Sequence, residues 1–403
     1  MGLKKQKTII VVGGGAAGLM TAMQLNPLFN VIIIEKEKSI GRKLLVAGNG
    51  GFNLTNNCSG INLASKYTPE FLLEDCLQLF SPKDLQVFLL SIGIETYVGS
   101  SGRIFPKKGI KPNEVLTAFK LLLSKKGVVV KLNHQFLSFS NQNKLEITNS
   151  SNQNETLSFD YCVFALGGAS WTKTGSDGLW TALFESKQLN TIPFQASNCG
   201  VNIKWDSSIL KHHEGKPLKN ISFTVGGKTV KGEGLVTAYG LEGNAVYPLI
   251  GEVRNQLKED KDSQLFIDFK PNNSNEELER KMKGKSYKTY AKSLNLASLE
   301  MAILKRFTSK VDFVDSVKFI ASLKNLQIPI SGLRPIEEAI STVGGVHLNS
   351  IQPDFSLKNN RNVFIIGEML DWDAPTGGFL LQACFSMGYS VAQRINKDLL
   401  KST

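Results

Sequence analysis

The sequence predicts an α/β protein built on an open, mostly parallel sheet with helices on its faces, interrupted by an inserted block of antiparallel strands and short helices. Three observations carry that reading. Residues 7–35 run strand, glycine turn, helix, strand, acid. An apolar run at 159–166 ends in the pair Gly167-Gly168. A third, at 362–366, ends at Gly367-Glu368 and leads through a loop into a long helix. Strands buried on both faces read as continuous apolar runs rather than alternating ones, as a parallel sheet requires.

The first strand, Thr8 to Val12, is rich in β-branched residues. Gly13-Gly14-Gly15-Ala16-Ala17-Gly18 follows, then an Ala/Leu/Met helix ending at Asn26-Pro27, then Val31 to Ile34 and Glu35. This is G-x-G-x-x-G in its meaningful context: strand before, helix after, acid about 20 residues on. Gly13 permits the sharp turn, Gly15 lets a pyrophosphate approach the backbone, and Gly18 lets helix and strand pack closely. The helix start at Ala16 and Ala17 offers N–H groups and partial positive charge to phosphates, and Glu35 offers acceptors to ribose hydroxyls. Lys4, Lys5 and Lys7 before an apolar run also suggest a secretory signal, but three consecutive glycines and a downstream strand with its acid argue against one.

At 403 residues the chain is long enough for more than one packed domain. No apolar run approaches the ~18 residues of a membrane span. Five cysteines (Cys58, Cys76, Cys162, Cys199, Cys384), far apart and never in C-x-x-C, exclude a local dithiol motif and suit a reducing cytoplasm. His134, His212, His213 and His347 show no metal spacing, so no metal site is expected. The net charge of +12 allows anionic partners, yet the lysines fall in short groups such as 107, 108, 111 and 281, 283, 285, 288. They read mostly as solvated surface, with nucleic acid the less favoured partner.

After Glu35 come Lys36, Arg42 and Lys43, phosphate or ribose partners in this context, and then a Gly/Asn-rich loop, Asn49-Gly50-Gly51-Phe52-Asn53. Such a loop either turns freely in solvent or lies against a ligand with its backbone donors exposed. Helices are expected at 69–80 and from Ser81-Pro82, where Asp84 stands behind an N-cap and a first-turn proline. Short strands at 94–98 and 103–105 flank a glycine turn, and an amphipathic helix at 113–126 ends at Gly127. A buried strand at 128–132 precedes an antiparallel excursion at 135–139 and 145–148, and 149–154 reads as a polar turn. The strand at 159–166 delivers Ala165, Leu166 and Gly167 to its carboxyl end, where ligands sit in an open parallel sheet. Trp171 and a turn to Gly178 follow.

From about residue 190 the texture changes. Alternating segments at 198–203, 221–225, 228–231, 235–239 and 266–269 with glycine turns suggest antiparallel strands. Residues 274–282, 287–293 and 296–307 read as short helices. The chain thus divides into 1–190 with 336–403, and an insert at 191–335 whose β part spans about 191–273 and 310–335 and whose helical part spans about 274–309. The last strand, 362–366, ends at Gly367-Glu368; a loop holding Asp371 and Gly377-Gly378 leads into a helix from Phe379 towards Leu400. A helix start there would stabilise negative charge on a neighbouring ring. No second G-x-G-x-x-G exists, so a separate nicotinamide-binding domain of this type is not expected.

Together, residues 13–35, 41–56, 164–178, 331–346 and 367–388 resemble a group of bacterial flavoproteins, the aminoacetone-oxidase-like and bile-acid-reductase-like NAD(P)/FAD-dependent oxidoreductases. The resemblance implies a Rossmann-like FAD-binding domain of the glutathione-reductase type made of both chain ends, with an inserted β-barrel-like and small helical domain. It implies FAD across the glycine turn, with Glu35 on the adenosine ribose and the 49–53 loop beside pyrophosphate and flavin. It also implies the Phe136 backbone at adenine, Glu368 on the ribitol and Gly377, Gly378 and Phe379 at the isoalloxazine. The commoner family loop reads Gly-Gly-Arg-Cys-Asn; here Gly51 and Phe52 replace Arg and Cys, which marks a divergent branch.

The expected activity is hydride transfer between flavin N5 and a small organic substrate, or NAD(P)H as transient donor. His347, Tyr239 and Tyr247 are candidate acids or bases, though each also reads as structural. A flavin-dependent RNA-modifying enzyme, a non-catalytic FAD-binding redox sensor and a nicotinamide-only dehydrogenase are the alternatives.

Overall fold

The computed structural model describes residues 6–46, 51–140, 142–260 and 262–400. The chain forms two compact units, Met1–Gln195 with Thr342–Thr403, and Ala196–Ser341.

The first unit is organised by five parallel strands: β1 (Thr8–Val12), β2 (Asn30–Glu35), β3 (Val129–Leu132), β4 (Tyr161–Phe164) and β5 (Val363–Ile365). Their order is β5-β4-β1-β2-β3. Val12 pairs with Ile34 and with Phe164, and Phe164 pairs with Ile365. The carboxyl ends of four strands are therefore level, which brings segments from both ends of the chain to one edge. Ile9, Ile10 and Val11 are wholly buried, as central positions covered on both faces must be.

Three helices cover this sheet: α1 (Ala16–Gln24), α2 (Pro112–Lys125) and α3 (Phe379–Leu400). In α2 the apolar stripe Val115, Leu116, Phe119 and Leu123 is buried at helical spacing. Helix α1 packs on α3. A Cβ at Gly388 of α3 would lie 2.5 Å from the Ala17 carbonyl oxygen, so only glycine permits the observed approach. The expected cap at Ser81 is present, with Asp84 bonding back to the Ser81 N–H at 2.8 Å.

Two local expectations change. The expected helix at 69–80 is a short 3-10 turn, Glu70–Leu72, followed by a helix over Glu74–Leu79. The polar stretch after residue 149 holds a third strand, Asn154–Ser158, paired to Lys144–Thr148. Its alternating residues are only half-buried, so no apolar signal announced it.

The second unit holds a seven-stranded antiparallel sheet in the order Leu326–Ile330, Ser263–Asp268, Pro217–Val225, Lys228–Thr237, Gly240–Glu242, Val201–Asn202, Gly332–Leu333. The first and last strands in that order are separated in the chain by Ser331 alone, so the sheet curls until its edges approach, as in a barrel. The expected separate strands at 228–231 and 235–239 are one strand, in which Gly232 and Gly234 pass close to Ala245 and the Phe223 ring. The helical part does not end at residue 309. Ser309 and Asp315 cap two more helices, Lys310–Val314 and Ser316–Lys324. A further helix spans Ile250–Glu259. Strands Thr191–Ser197 and Ser341–Val346 pair with each other.

A candidate dinucleotide site at the carboxyl edge of the parallel sheet

Beyond β1 the chain turns at Gly13, whose φ is +106° and whose missing Cβ would lie 2.3 Å from the Ala165 carbonyl oxygen. A Cβ at Gly18 would lie 2.0 Å from the Gly13 carbonyl oxygen. Both glycines are therefore demanded by the protein itself. Gly15 is different. Its backbone is extended, with φ −82°, and a Cβ there would meet no atom of the described residues within 4 Å. Among the described residues nothing fills the space beside the first turn of α1, where the N–H groups of Ala16 and Ala17 have no acceptor within the helix.

The Glu35 carboxylate accepts the Gly14 N–H at 2.8 Å and the Glu37 N–H at 2.9 Å. Burial pushes its pKa up, and those two backbone bonds oppose the shift. A carboxylate has about four lone-pair sites, so two remain for hydroxyl donors.

Lys43 joins three segments. Its ammonium lies 2.7 Å from Glu368 beyond β5, and 3.0 and 3.5 Å from the hydroxyls of Ser170 and Ser176 beyond β4. Glu368 is nearly enclosed, its side chain 12% exposed. Two further contacts fasten the 170–178 segment to the same region: Lys36 to Asp177 at 2.6 Å, and the Arg42 guanidinium to the Lys173 carbonyl at 2.6 Å. Arg42 also pairs with Glu37, yet its Nε is buried with no partner among the described residues.

Before α3, Gly377 and Gly378 have φ of +116° and +97°. A Cβ at Gly378 would sit 2.4 Å from the Thr55 backbone. Asn56 donates to the Gly377 carbonyl at 3.1 Å, Thr55 to Gln382 at 2.6 Å, and the Tyr67 hydroxyl to the Phe379 carbonyl at 3.1 Å. Burial drives the Tyr67 phenol well above its ordinary pKa, and the edge of one ring meets the face of the other between Tyr67 and Phe379. The helix start is thus braced from behind. Tyr67 and Gln382 carried no local sequence signal, while Thr55 and Asn56 lay at the end of the glycine-rich stretch. Gly51 has φ +106° and Phe52 is buried, with the Asn53 N–H bonded to the Gly51 carbonyl. Asn49 and Gly50 lie outside the described residues.

Two indoles hold the strand-end glycines: Trp180 donates to the Gly167 carbonyl at 3.0 Å and Trp372 to the Gly367 carbonyl at 2.8 Å. Ala165 is buried against Gly13, and Leu166 is half-buried. The remaining candidates have local roles. Trp171 is 38% exposed in a left-handed turn, and Asp371 accepts the Gly344 N–H at 3.0 Å. The Phe136 ring packs among Phe139, Phe164 and Phe184. His347 caps a turn, its Nδ1 accepting the Asn349 N–H. In the second unit Tyr239 donates to Glu242 beneath the Arg334 guanidinium, and burial pushes Tyr247 up to about 12. Among the described residues no group of His, Cys, Asp and Glu could hold a metal, and no helix is long and apolar enough to cross a membrane.

These residues fit a flavin dinucleotide. The space at Gly15 and the free N–H groups of α1 suit a diphosphate, Glu35 keeps acceptors for ribose, and the orphaned Arg42 Nε awaits an acceptor.

Residues 7–394 match the family described as the HI0933-like protein Rossmann domain. The chain is 24% identical over 410 residues to a 3-dehydro-bile acid delta(4,6)-reductase of Clostridium scindens, covering 94% of this chain and 96% of that one. It is 25% identical over 408 residues to a ribosomal RNA dihydrouridine synthase of Haemophilus influenzae, covering 96% and 98%. Among solved structures, 3-ketosteroid delta1-dehydrogenase of Sterolibacterium denitrificans superposes with a TM-score of 0.53 at 12% identity, over 98% of this chain and all of that one. A flavocytochrome c3 fumarate reductase gives 0.50 at 13%, over 99% and 79%. With the family match running almost from end to end and the sheet edge built as described, the chain belongs to the HI0933-like Rossmann family and has the fold of FAD-dependent oxidoreductases.

Proposed function

We propose that this chain is an FAD-dependent reductase that adds hydrogen to an activated double bond of an organic substrate, with NAD(P)H as the source of electrons. The observation that carries the reading is the level edge of the parallel sheet. There one unit presents Gly15, Glu35, the Lys43–Glu368 pair and the start of α3 together. Support for the reaction comes from the relatives, a delta(4,6)-reductase and a dihydrouridine synthase, since both names describe reductions.

Bound FAD supplies hydride chemistry that no side chain can. The chain's own groups bind and orient. The first turn of α1 would hold the diphosphate and Glu35 would accept from ribose hydroxyls, while Lys43 fixes the carboxylate of Glu368, which would accept from the sugar chain. The N–H groups opening α3 would favour negative charge on a flavin ring held there. The test is anaerobic mixing of FAD-loaded protein with NADH and with NADPH, followed by a panel of conjugated enones. Bleaching by one nucleotide and recovery of the yellow colour with an enone is expected. Flavin that stays oxidised with both nucleotides would overturn the reading in favour of a redox-silent binder.

A second reading, reduction of uridine within RNA, is favoured by the relatives named ribosomal RNA dihydrouridine synthase in Haemophilus influenzae and Escherichia coli. Recovery of colour with RNA but with no enone would select it.

A further inference from the structure

The chain's positive charge is not spread evenly. Between Arg280 and Leu299 there are six cationic side chains (Arg280, Lys281, Lys283, Lys285, Lys288, Lys292) and no Asp or Glu, in a protein whose net charge is +12. In the sequence they read as one short group among several. The structure places all six at the surface of the helical part of the second unit. Glu276 and Glu277, on the first turn of the helix Asn275–Met282, lie below the ordinary carboxylate range chiefly through hydrogen bonds to Ser274 and to Asn273 respectively, with a smaller pull from Arg280 on the last turn and, for Glu277, from Lys281. Lys283, Lys285, Lys288 and Lys292 lie beyond that helix and have no ion-pair partner among the described residues. Gly284, with φ +71°, and the turn Tyr287–Thr289 capped by Ser286 display the first three along an irregular stretch, and Lys292 follows on the short helix Tyr290–Ser293.

We infer that this ridge, Lys283, Lys285, Lys288 and Lys292 with Tyr287 among them, is a docking surface for the phosphate backbone of RNA carrying an unpaired base. Four unneutralised ammonium groups within ten residues suit a polyanion, because each phosphate they contact releases a condensed counterion. Tyr287 is 44% exposed and supplies a flat ring on which a base can stack. A membrane surface fits less well. Of the other large apolar residues of the stretch, Met282, Tyr290, Leu294 and Leu299 are buried and Leu296 is half-buried against the same core, so no apolar face remains to enter a bilayer. The tyrosine hydroxyl that would otherwise join the ridge, that of Tyr290, is turned inward onto the Val314 carbonyl. The inference rests on the second reading above, reduction within RNA, and names the surface that would hold that partner; RNA capture itself requires no electron transfer, so the two can fail separately.

The test uses the full FAD-loaded chain. Binding of a labelled, mixed-sequence RNA of roughly 20 nucleotides is measured against salt, beside vesicles containing phosphatidylserine. The wild type should bind RNA with an affinity that falls steeply with salt. The variant K283Q/K285Q/K288Q/K292Q should bind at least about tenfold more weakly, with a log–log salt slope shallower by about 3. Y287A should lose affinity for unpaired RNA while keeping the slope. Unchanged visible flavin absorbance and reduction by NAD(P)H in both variants shows that the flavin site stands, so loss of one reading is separable from the other. RNA binding by the quadruple variant equal to wild type, no RNA binding by the wild type at low salt, or binding to vesicles alone would each overturn the inference.

Discussion

The glycines of the N-terminal turn give a sharp test, because two of them should fail in opposite ways. Gly15→Ala adds one methyl group where no described atom lies within 4 Å and where the backbone, at φ −82°, suits any residue. The folded protein should tolerate it, and the lower entropy of the unfolded chain should add about 0.4–1 kcal/mol of stability. The same methyl group enters the space assigned to the diphosphate. Losing one or two charge-assisted hydrogen bonds there corresponds to roughly 1.5–3 kcal/mol, or about 10-fold to 100-fold in FAD affinity. Gly18→Ala puts a Cβ 2.0 Å from the Gly13 carbonyl oxygen, so helix and strand must separate. It should destabilise the fold by about 3 kcal/mol or more whether or not FAD is present. The assay pairs thermal melting without FAD with fluorescence titration by FAD. A Gly15→Ala variant that melts normally and binds FAD as tightly as wild type would refute the placement of the diphosphate.

Lys43→Met leaves Glu368, 12% exposed, without its cation. An apo-protein loss of about 1–3 kcal/mol is expected, read as melting about 2–4 °C lower per kcal/mol, with weaker FAD binding and partial recovery in Lys43→Arg. An unchanged melt and titration would show that the pair does nothing. For Glu35, burial lifts the folded pKa above the ordinary 4.5, so the folded chain holds that proton more tightly than the unfolded one. The stability this lends is fully present below pH 4.5 and disappears as pH rises through the folded value. Glu35→Gln should flatten that segment of a urea-midpoint profile taken from about pH 4 to pH 7, and an unaltered slope would contradict the cause assigned. Burial pushes the Cys384 thiol up to about 12 and raises Cys76 and Cys162 too, and Cys199 is buried as well, leaving only half-buried Cys58 open to reagents. Thiol titration of the native protein should therefore show one fast cysteine, and two or more would mean the core opens readily.

The parts of this site that could be read in the sequence are those where a residue type is forced by its own backbone. Gly13 and Gly18 announce themselves because no other residue fits, and Glu35 because it ends a strand at a fixed distance from them. The coupling of Lys43 to Glu368 could not be read, since 325 residues separate the pair and only the level register of β2, β4 and β5 brings them together. Tyr67 and Gln382, which brace the start of α3, were hidden for the same reason. In the second unit the charge of residues 280–292 was visible, but not its isolation from acids, which depends on what the fold places beside it. The strand Asn154–Ser158 was hidden by its polar composition, and the helices after residue 309 because Ser309 and Asp315 reveal themselves as caps only once the hydrogen bonds are seen.

Equilibrium titration of the apo-protein with FAD, followed by absorbance and by quenching of flavin fluorescence, tests the assembled sheet edge most directly. One FAD per chain should bind, with the visible spectrum shifted from that of free flavin and the affinity reduced in Gly15→Ala and Lys43→Met. Protein that leaves the FAD spectrum unchanged at saturating concentration, while binding NADH or NADPH alone, would contradict it.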